Sequence, residues 1–121
     1  MKKCILLIEP ETEICGFLQA DLQKKGFDVV CPIDSYAGFE YAQSHRLDLA
    51  IFNAQQPIIN GIDFLKALRE SGFQMPTIVF SNHTSPQLRD TFCAYAPCIH
   101  IQKPFQMDHL LKQIDDLFKI G

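Results

Sequence analysis

The segment Cys4–Ile8 reads CILLI, a continuous apolar run that is followed at once by Glu9 and Pro10. A strand that is apolar at every position is typical of a parallel sheet whose two faces are both covered. Beyond Pro10 the apolar residues change to a helical period and form one stripe: Ile14, Phe17, Leu18 and Leu22. The opening of the chain therefore predicts a buried strand followed by an amphipathic helix.

The same alternation of a short apolar run and a helical period repeats along the chain. Further strands are predicted over residues 27–31, 49–52, 77–80 and 98–101. Ser35 is the predicted N-cap of the second helix, Asn60-Gly61 is read as a turn, and Met107 opens the strongest helical stripe. Strict strand–helix alternation predicts a parallel sheet between two helical layers. We expect one α/β domain, a (βα)5 three-layer sandwich, over residues 1–121.

The composition excludes several classes of protein. The chain has 121 residues, 47% of them apolar and 21% charged, with a net charge of −3. A disordered chain needs fewer apolar residues and more net charge. The apolar runs are far shorter than the roughly 20 residues of a membrane span, and the first run is too short for a signal peptide. We expect a cytoplasmic domain that binds neither membrane nor nucleic acid.

The aromatic and cysteine residues are expected to fill the interior. Six phenylalanines are placed in or near the core: Phe17, Phe27, Phe39, Phe52, Phe64 and Phe80. The five cysteines are an odd number without a CxxC pair, which is a poor framework for disulfides or zinc. We interpret the cysteines as small apolar fillers and expect no metal and no cofactor.

Polar residues follow the ends of the predicted strands: Glu9, Pro10, Asn53, Ser81 and Lys103. The carboxyl ends of parallel strands meet at one edge of the sheet, where ligands of such folds bind. No glycine-rich loop follows the first strand, which argues against a dinucleotide or P-loop nucleotide site. These five positions are therefore the candidate site.

Five segments in this order resemble the receiver domains of two-component response regulators. They are ILLIEPE at 5–11, LAIFN at 49–53, QQPIING at 55–61, IVFS at 78–81 and IQKPF at 101–105. The resemblance covers almost the whole chain and implies a flavodoxin-like fold with a parallel sheet in the order 2-1-3-4-5. In that family an Asp ends the third strand and accepts a phosphoryl group. Acids after the first strand help to hold Mg²⁺, and a Ser/Thr and a Lys bind the phosphoryl oxygens.

This chain departs from the family pattern at two chemical positions. Asn53 stands at the phosphoacceptor position, and an amide oxygen is a far weaker nucleophile than a carboxylate. Pro10 stands at a metal-ligand position and offers no side-chain ligand, although Glu9 keeps an acid beside it. The resemblance therefore implies a pseudo-receiver, not an enzyme, that binds a protein partner without being phosphorylated.

The resemblance also implies roles for the remaining positions. Ser81 and Lys103 are the retained pocket residues; we expect Lys103 to pair with Glu9 and hydrogen-bond to Asn53, and the Lys103–Pro104 peptide to be cis. His100 occupies the switch position, where we favour a partly exposed histidine without a switching role. The family's output face would include Arg89, Tyr95, His100 and Gln102. The partner would be a histidine kinase, an output domain, another signalling protein or a second copy of the chain.

Three other functions stay open at this stage. One is a working receiver with a non-standard nucleophile, either Ser81 or a deamidated Asn53. Another is a redox sensor that uses exposed thiols among the five cysteines. The last is a binder of small anions at Ser81 and Lys103.

Overall fold

The computed structural model of the protein describes residues 2–55, 60–82 and 86–120, apart from the side chains of Cys93 and Ile120. The strands are β1 (Cys4–Ile8), β2 (Asp28–Val30), β3 (Leu49–Asn53), β4 (Thr77–Ser81) and β5 (Cys98–Gln102). The helices are α1 (Thr12–Lys24), α2 (Ser35–Ser44), α3 (Gly61–Glu70), α4 (Pro86–Cys93) and α5 (Met107–Ile120). No helix in these described ranges is long and apolar enough to cross a membrane.

All neighbouring strands are parallel, and the sheet has the order β2-β1-β3-β4-β5. The predicted flavodoxin-like order is therefore confirmed. In the ladder Ile8 lies opposite Phe52, and Asn53 lies opposite Phe80. Ser81 lies opposite Gln102 in the next pair. This register brings the carboxyl ends of β1, β3, β4 and β5 to one edge of the sheet.

The two faces of the sheet carry separate apolar clusters. Ile5 and Leu7 pack on the side of α1 and α5, whereas Leu6 and Ile8 pack on the side of α2, α3 and α4. Successive side chains of a strand point to opposite faces, so both sets are buried only if the whole run is apolar. This arrangement explains the uninterrupted CILLI segment.

Two helix beginnings differ from the sequence predictions. Asp34, not Ser35, caps α2: its extended backbone lets the carboxylate accept from the Ala37 N–H at 2.9 Å. Asn60, which the sequence predicts as part of a turn, caps α3 and accepts from the Asp63 N–H at 2.9 Å. Asp and Asn are both strong N-cap residues, and their side chains satisfy N–H groups that the helix leaves free.

The prediction that Phe17 is a core residue is wrong, because 73% of it is exposed. Leu18 and Leu22 are the buried residues of α1. Phe17 is rotated by roughly 100° from Leu18 around the helix axis, which places it beside the buried stripe. Phe52, Phe64 and Phe80 are fully buried, and Phe27 and Phe39 pack partly buried against the core, as expected.

Candidate functional site

A cavity of about 350 Å³ opens at the edge where the strands end. All five candidate residues line this cavity: Glu9, Pro10, Asn53, Ser81 and Lys103. Four further residues complete the wall: Glu11, Gln55, Phe80 and Asn82. Within the 55–61 segment, residues 56–59 lie outside the described residues.

The carboxylate of Glu9 is the centre of the site. One of its oxygens, Oε1, accepts from the Lys103 ammonium at 2.9 Å, and the other, Oε2, accepts from Nδ2 of Asn53. The Glu9 side chain has no exposed surface, and that of Lys103 is 18% exposed. A buried carboxylate is stable only when it is paired and hydrogen-bonded. Both requirements are met here by residues of the chain itself.

Asn53 is the last residue of β3 and is 7% exposed. Its Nδ2 group also donates to the carbonyl oxygen of Ile8, at 3.5 Å. The expected ion pair of Lys103 with Glu9 is present, but the expected hydrogen bond between Lys103 and Asn53 is not formed. Instead, both side chains donate to Glu9, the Asn53 amide to Oε2 and the Lys103 ammonium to Oε1.

The position of Lys103 is fixed by its neighbours on β4. Its backbone N–H donates to the Ser81 carbonyl oxygen at 2.7 Å. Its ammonium nitrogen lies 5.7 Å from the centre of the Phe80 ring, within the range of a cation–π contact. The Lys103–Pro104 peptide is cis, as predicted. The Lys103 ammonium reaches across the cavity to Glu9.

These residues do not fit the Mg²⁺ site that the resemblance implies. Magnesium requires several hard oxygen ligands in nearly octahedral geometry. Pro10 offers no side-chain oxygen, and both oxygens of Glu9 are already engaged by Asn53 and Lys103. Among the described residues, no group of three or more His, Cys, Asp or Glu side chains could hold a metal ion.

Ser81 and His100 form a second polar contact next to the cavity. The Ser81 hydroxyl is hydrogen-bonded to Nε2 of His100, which is half-buried on β5. The imidazole also lies 5.7 Å from the Phe92 ring of α4. Burial, and then the positive charge of Arg89, lower the pKa of His100 below its ordinary value. The neutral ring is thus favoured in this position.

The predicted output face contains both exposed and half-buried residues. Arg89 and Gln102 are exposed, whereas Tyr95 and His100 are half-buried. The Gln102 amide donates to the carbonyl oxygen of Asn82 at the cavity rim, at 3.5 Å. His100 is partly exposed as expected, but its bond to Ser81 was not predicted. The sequence contains little indication of this bond. In the sheet His100 lies opposite Val79, two residues before Ser81, so the two side chains are not direct neighbours in the ladder.

Comparison with known proteins gives a consistent result. The model of the response regulator receiver domain matches residues 5–115. The transcriptional regulatory protein DltR of Streptococcus agalactiae is 30% identical over 110 residues, which are 91% of this chain and 49% of that protein. The response regulator ArlR of Staphylococcus aureus is 28% identical over 91% of this chain and 50% of its own length. This chain thus spans about half the length of these curated relatives.

Solved structures share the fold at lower sequence identity. The chemotaxis protein CheY4 of Vibrio cholerae superposes with a TM-score of 0.89 at 24% identity, covering 97% of this chain and 99% of that one. The protein TrrA of Thermotoga maritima, in a complex with Mg²⁺-BeF, gives a TM-score of 0.83 at 21% identity, with 95% and 98% covered. At these identities the superpositions support the architecture only.

Proposed function

Because this chain belongs to the family of response regulator receiver domains, we propose that it acts in two-component signalling as a phosphorylation-independent module that binds a protein partner. Receiver domains of response regulators interact with kinases and with output domains. The observation that carries the proposal is that the polar groups at the centre of the pocket are bonded to one another. Glu9 accepts from Asn53 and from Lys103, so the charged groups at its centre already satisfy one another.

The first argument concerns the nucleophile. Aspartyl phosphorylation needs a carboxylate oxygen that attacks phosphorus and forms an acyl phosphate. Asn53 offers an uncharged amide instead, and its Nδ2 group is committed to Glu9 and Ile8. An attack by the amide oxygen would lack both the negative charge and the freedom to turn.

The second argument concerns the metal and the phosphoryl charge. Transfer of a phosphoryl group relies on cations that are already in place to take up the developing negative charge. Here Lys103 is paired with Glu9 at 2.9 Å, and breaking a buried ion pair costs about 3–5 kcal/mol. Glu9 would have to give up the same pair to ligate Mg²⁺. The ion pair therefore competes with both requirements of the reaction.

The partner surface is proposed on α4 and β5. Arg89 and Gln102 are exposed there, and Tyr95 and His100 stand half-buried behind them. The partner is a histidine kinase, an output domain, another signalling protein or a second copy of this chain. A partner captured by the wild type and lost by the double variant Arg89→Ala/Gln102→Ala would support this face. Undiminished capture by that variant would place the contact elsewhere.

The decisive test of the pocket is incubation with a small-molecule phosphodonor and Mg²⁺, followed by intact mass measurement. We expect an unchanged wild-type mass, while a receiver domain that retains its Asp gains one phosphoryl group in the same tube. The double variant Pro10→Asp/Asn53→Asp is expected to gain reactivity, and Asn82→Asp, at the exposed rim, is not. A stoichiometric adduct on the wild type would refute the proposal. Peptide mapping would then separate Ser81 from a deamidated Asn53.

A further inference from the structure

Two cysteines meet at the side of the sheet that faces α1. Cys15 lies on α1, and Cys31 directly follows β2. Both side chains pack against the apolar cluster beneath α1 and α5, and the two thiols interact with each other. Both are free thiols and half-buried, so each keeps some exposed surface. The two thiols are thus neighbours that are not joined by a disulfide.

The topology explains why these two residues meet. Where α1 ends and the chain turns into β2, the Phe27 N–H donates to the Leu22 carbonyl oxygen at 3.2 Å, so these two residues lie side by side. From Leu22 back to Cys15 the helix rises by roughly 10 Å. From Phe27 up to Cys31 the antiparallel course of the strand covers roughly 13 Å. Phe27, Val29 and Cys31 also share the strand face that packs on this cluster. Measured from Leu22 and Phe27 along the direction of the strands, both cysteines therefore lie at a similar distance.

We propose that Cys15 and Cys31 form a redox site, in which a hydroperoxide converts the two thiols into an intramolecular disulfide between α1 and the end of β2. The thiolate of Cys15 attacks one peroxide oxygen, the O–O bond breaks, and a sulfenic acid forms as hydroxide leaves. The sulfur of Cys31 then attacks the oxidised sulfur and displaces its hydroxyl group, which leaves as water with the Cys31 proton. Two thiols lose two electrons in total, and the peroxide gains them.

The environment assigns the order of the two steps. Burial, and then the contact with Cys15, raise the pKa of the Cys31 thiol to about 12. Cys31 therefore forms its thiolate less readily than an ordinary cysteine, which makes it the resolving partner, since the thiolate is the form that attacks a peroxide. Cys15 is the thiol that reacts first.

The bridge would act on a surface outside the pocket. Cys31 is followed closely by Ile33 and Tyr36, large apolar side chains that are 93% and 59% exposed. A disulfide to Cys15 fixes the start of this segment to α1. Oxidation would thus change the mobility of an exposed apolar surface without involving Asn53. This input is independent of the proposed phosphorylation state of the domain.

The test treats the folded protein with hydrogen peroxide, blocks the remaining thiols with iodoacetamide and maps the peptides without reduction. We expect the loss of two alkylatable thiols, a linked Cys15–Cys31 peptide and full reversal by dithiothreitol. The melting temperature should rise by roughly 10 °C, as for a closed loop of this size. Cys15→Ser and Cys31→Ser should abolish the link, and Cys98→Ser, which removes another half-buried thiol, should keep it.

Three results would overturn the proposal. One is alkylation of both Cys15 and Cys31 after peroxide treatment, and another is a bridge that forms only between other cysteines or between two chains. The third is equally fast formation of the Cys15–Cys31 link in urea, which would show that the folded contact has no part in it. The wild-type peptide map gives these answers even if a serine variant fails to fold.

Discussion

Replacing Asn53 by Asp should destabilise the protein at neutral pH, although Asp is the residue of the family pattern. Asn53 is 7% exposed, and its Nδ2 group donates to the Glu9 carboxylate. In the variant this donor becomes a second carboxylate that faces the first. An attractive contact is thus turned into a repulsive one in a buried place.

The magnitude follows from Coulomb's law. Two unit charges about 4 Å apart repel by about 4 kcal/mol at an effective dielectric constant of 20. The lost hydrogen bond adds about 1–3 kcal/mol, because its acceptor was charged. Lys103 lies 2.9 Å from Glu9 and would be shared between the two carboxylates, which offsets part of the sum. We expect Asn53→Asp to lower the free energy of unfolding by about 2–4 kcal/mol at pH 7.

The assay is urea denaturation of wild type and variant at pH 7 and pH 5. Repulsion raises the pKa of one of the two carboxyls in the folded variant, so that carboxyl is protonated as the pH falls. The loss in free energy of unfolding of the variant, relative to wild type, is therefore largest at neutral pH and becomes smaller towards pH 5. Asn82→Asp makes the same chemical change at an exposed position of the rim and should stay within about 0.5 kcal/mol of wild type.

Magnesium provides the second arm of this experiment. The double variant Pro10→Asp/Asn53→Asp presents a further carboxylate beside Glu9, so Mg²⁺ should restore its stability and bind measurably. The single variant Asn53→Asp should gain little from the metal. Equal stability of Asn53→Asp and wild type at pH 7, or equal magnesium binding by the single and double variants, would refute the charge argument.

Two further predictions concern residues next to the pocket. The lowered pKa of His100 means that neutral imidazole stabilises the fold fully above about pH 6.5 and progressively less below it. His100→Gln should therefore flatten this part of the curve of unfolding free energy against pH. An unchanged slope would contradict the assignment of this pH dependence to His100. Gly61→Ala should cost about 2–3 kcal/mol, because a Cβ there would lie 2.8 Å from the Cα of Ala54. Gly16→Ala meets nothing within 4 Å and should stabilise α1 by up to about 1 kcal/mol, so similar thermal shifts in both alanine variants would argue against steric crowding.

β1 and β3 were predictable from sequence because their burial between two helical layers leaves a continuous apolar run. Leu49–Asn53 shows this most clearly, since each of its five residues is buried and the run ends at its first polar side chain. Helix beginnings were less predictable. Asp34 and Ser35 are adjacent and both can cap, and only the extended backbone at Asp34 decides between them. Phe17 fits the apolar stripe of α1 in sequence but lies outside the helix face that the sheet covers.

The site was predictable as a set of positions but not as a set of contacts. Parallel strands with ends at one edge bring Glu9, Asn53 and Lys103 to the same edge of the sheet. Which donor takes which carboxylate oxygen depends on distances of a few ångströms. The contacts of Ser81 with His100 and of Cys15 with Cys31 depend on how far neighbouring helices and strands are shifted along each other. A pattern of residue types carries no such information.

The polar groups at the strand ends are paired with one another, and this has a consequence for signalling. Glu9 is held by Asn53 and Lys103, and Ser81 is held by His100. A ligand shifts an equilibrium only if it binds one conformation better than another. A pocket whose central ion pair is already formed offers little differential affinity to Mg²⁺ or to a phosphoryl group. Under the proposed function a change of state begins elsewhere on the domain, and the Cys15–Cys31 pair and the surface around Arg89 are the places that we propose for it.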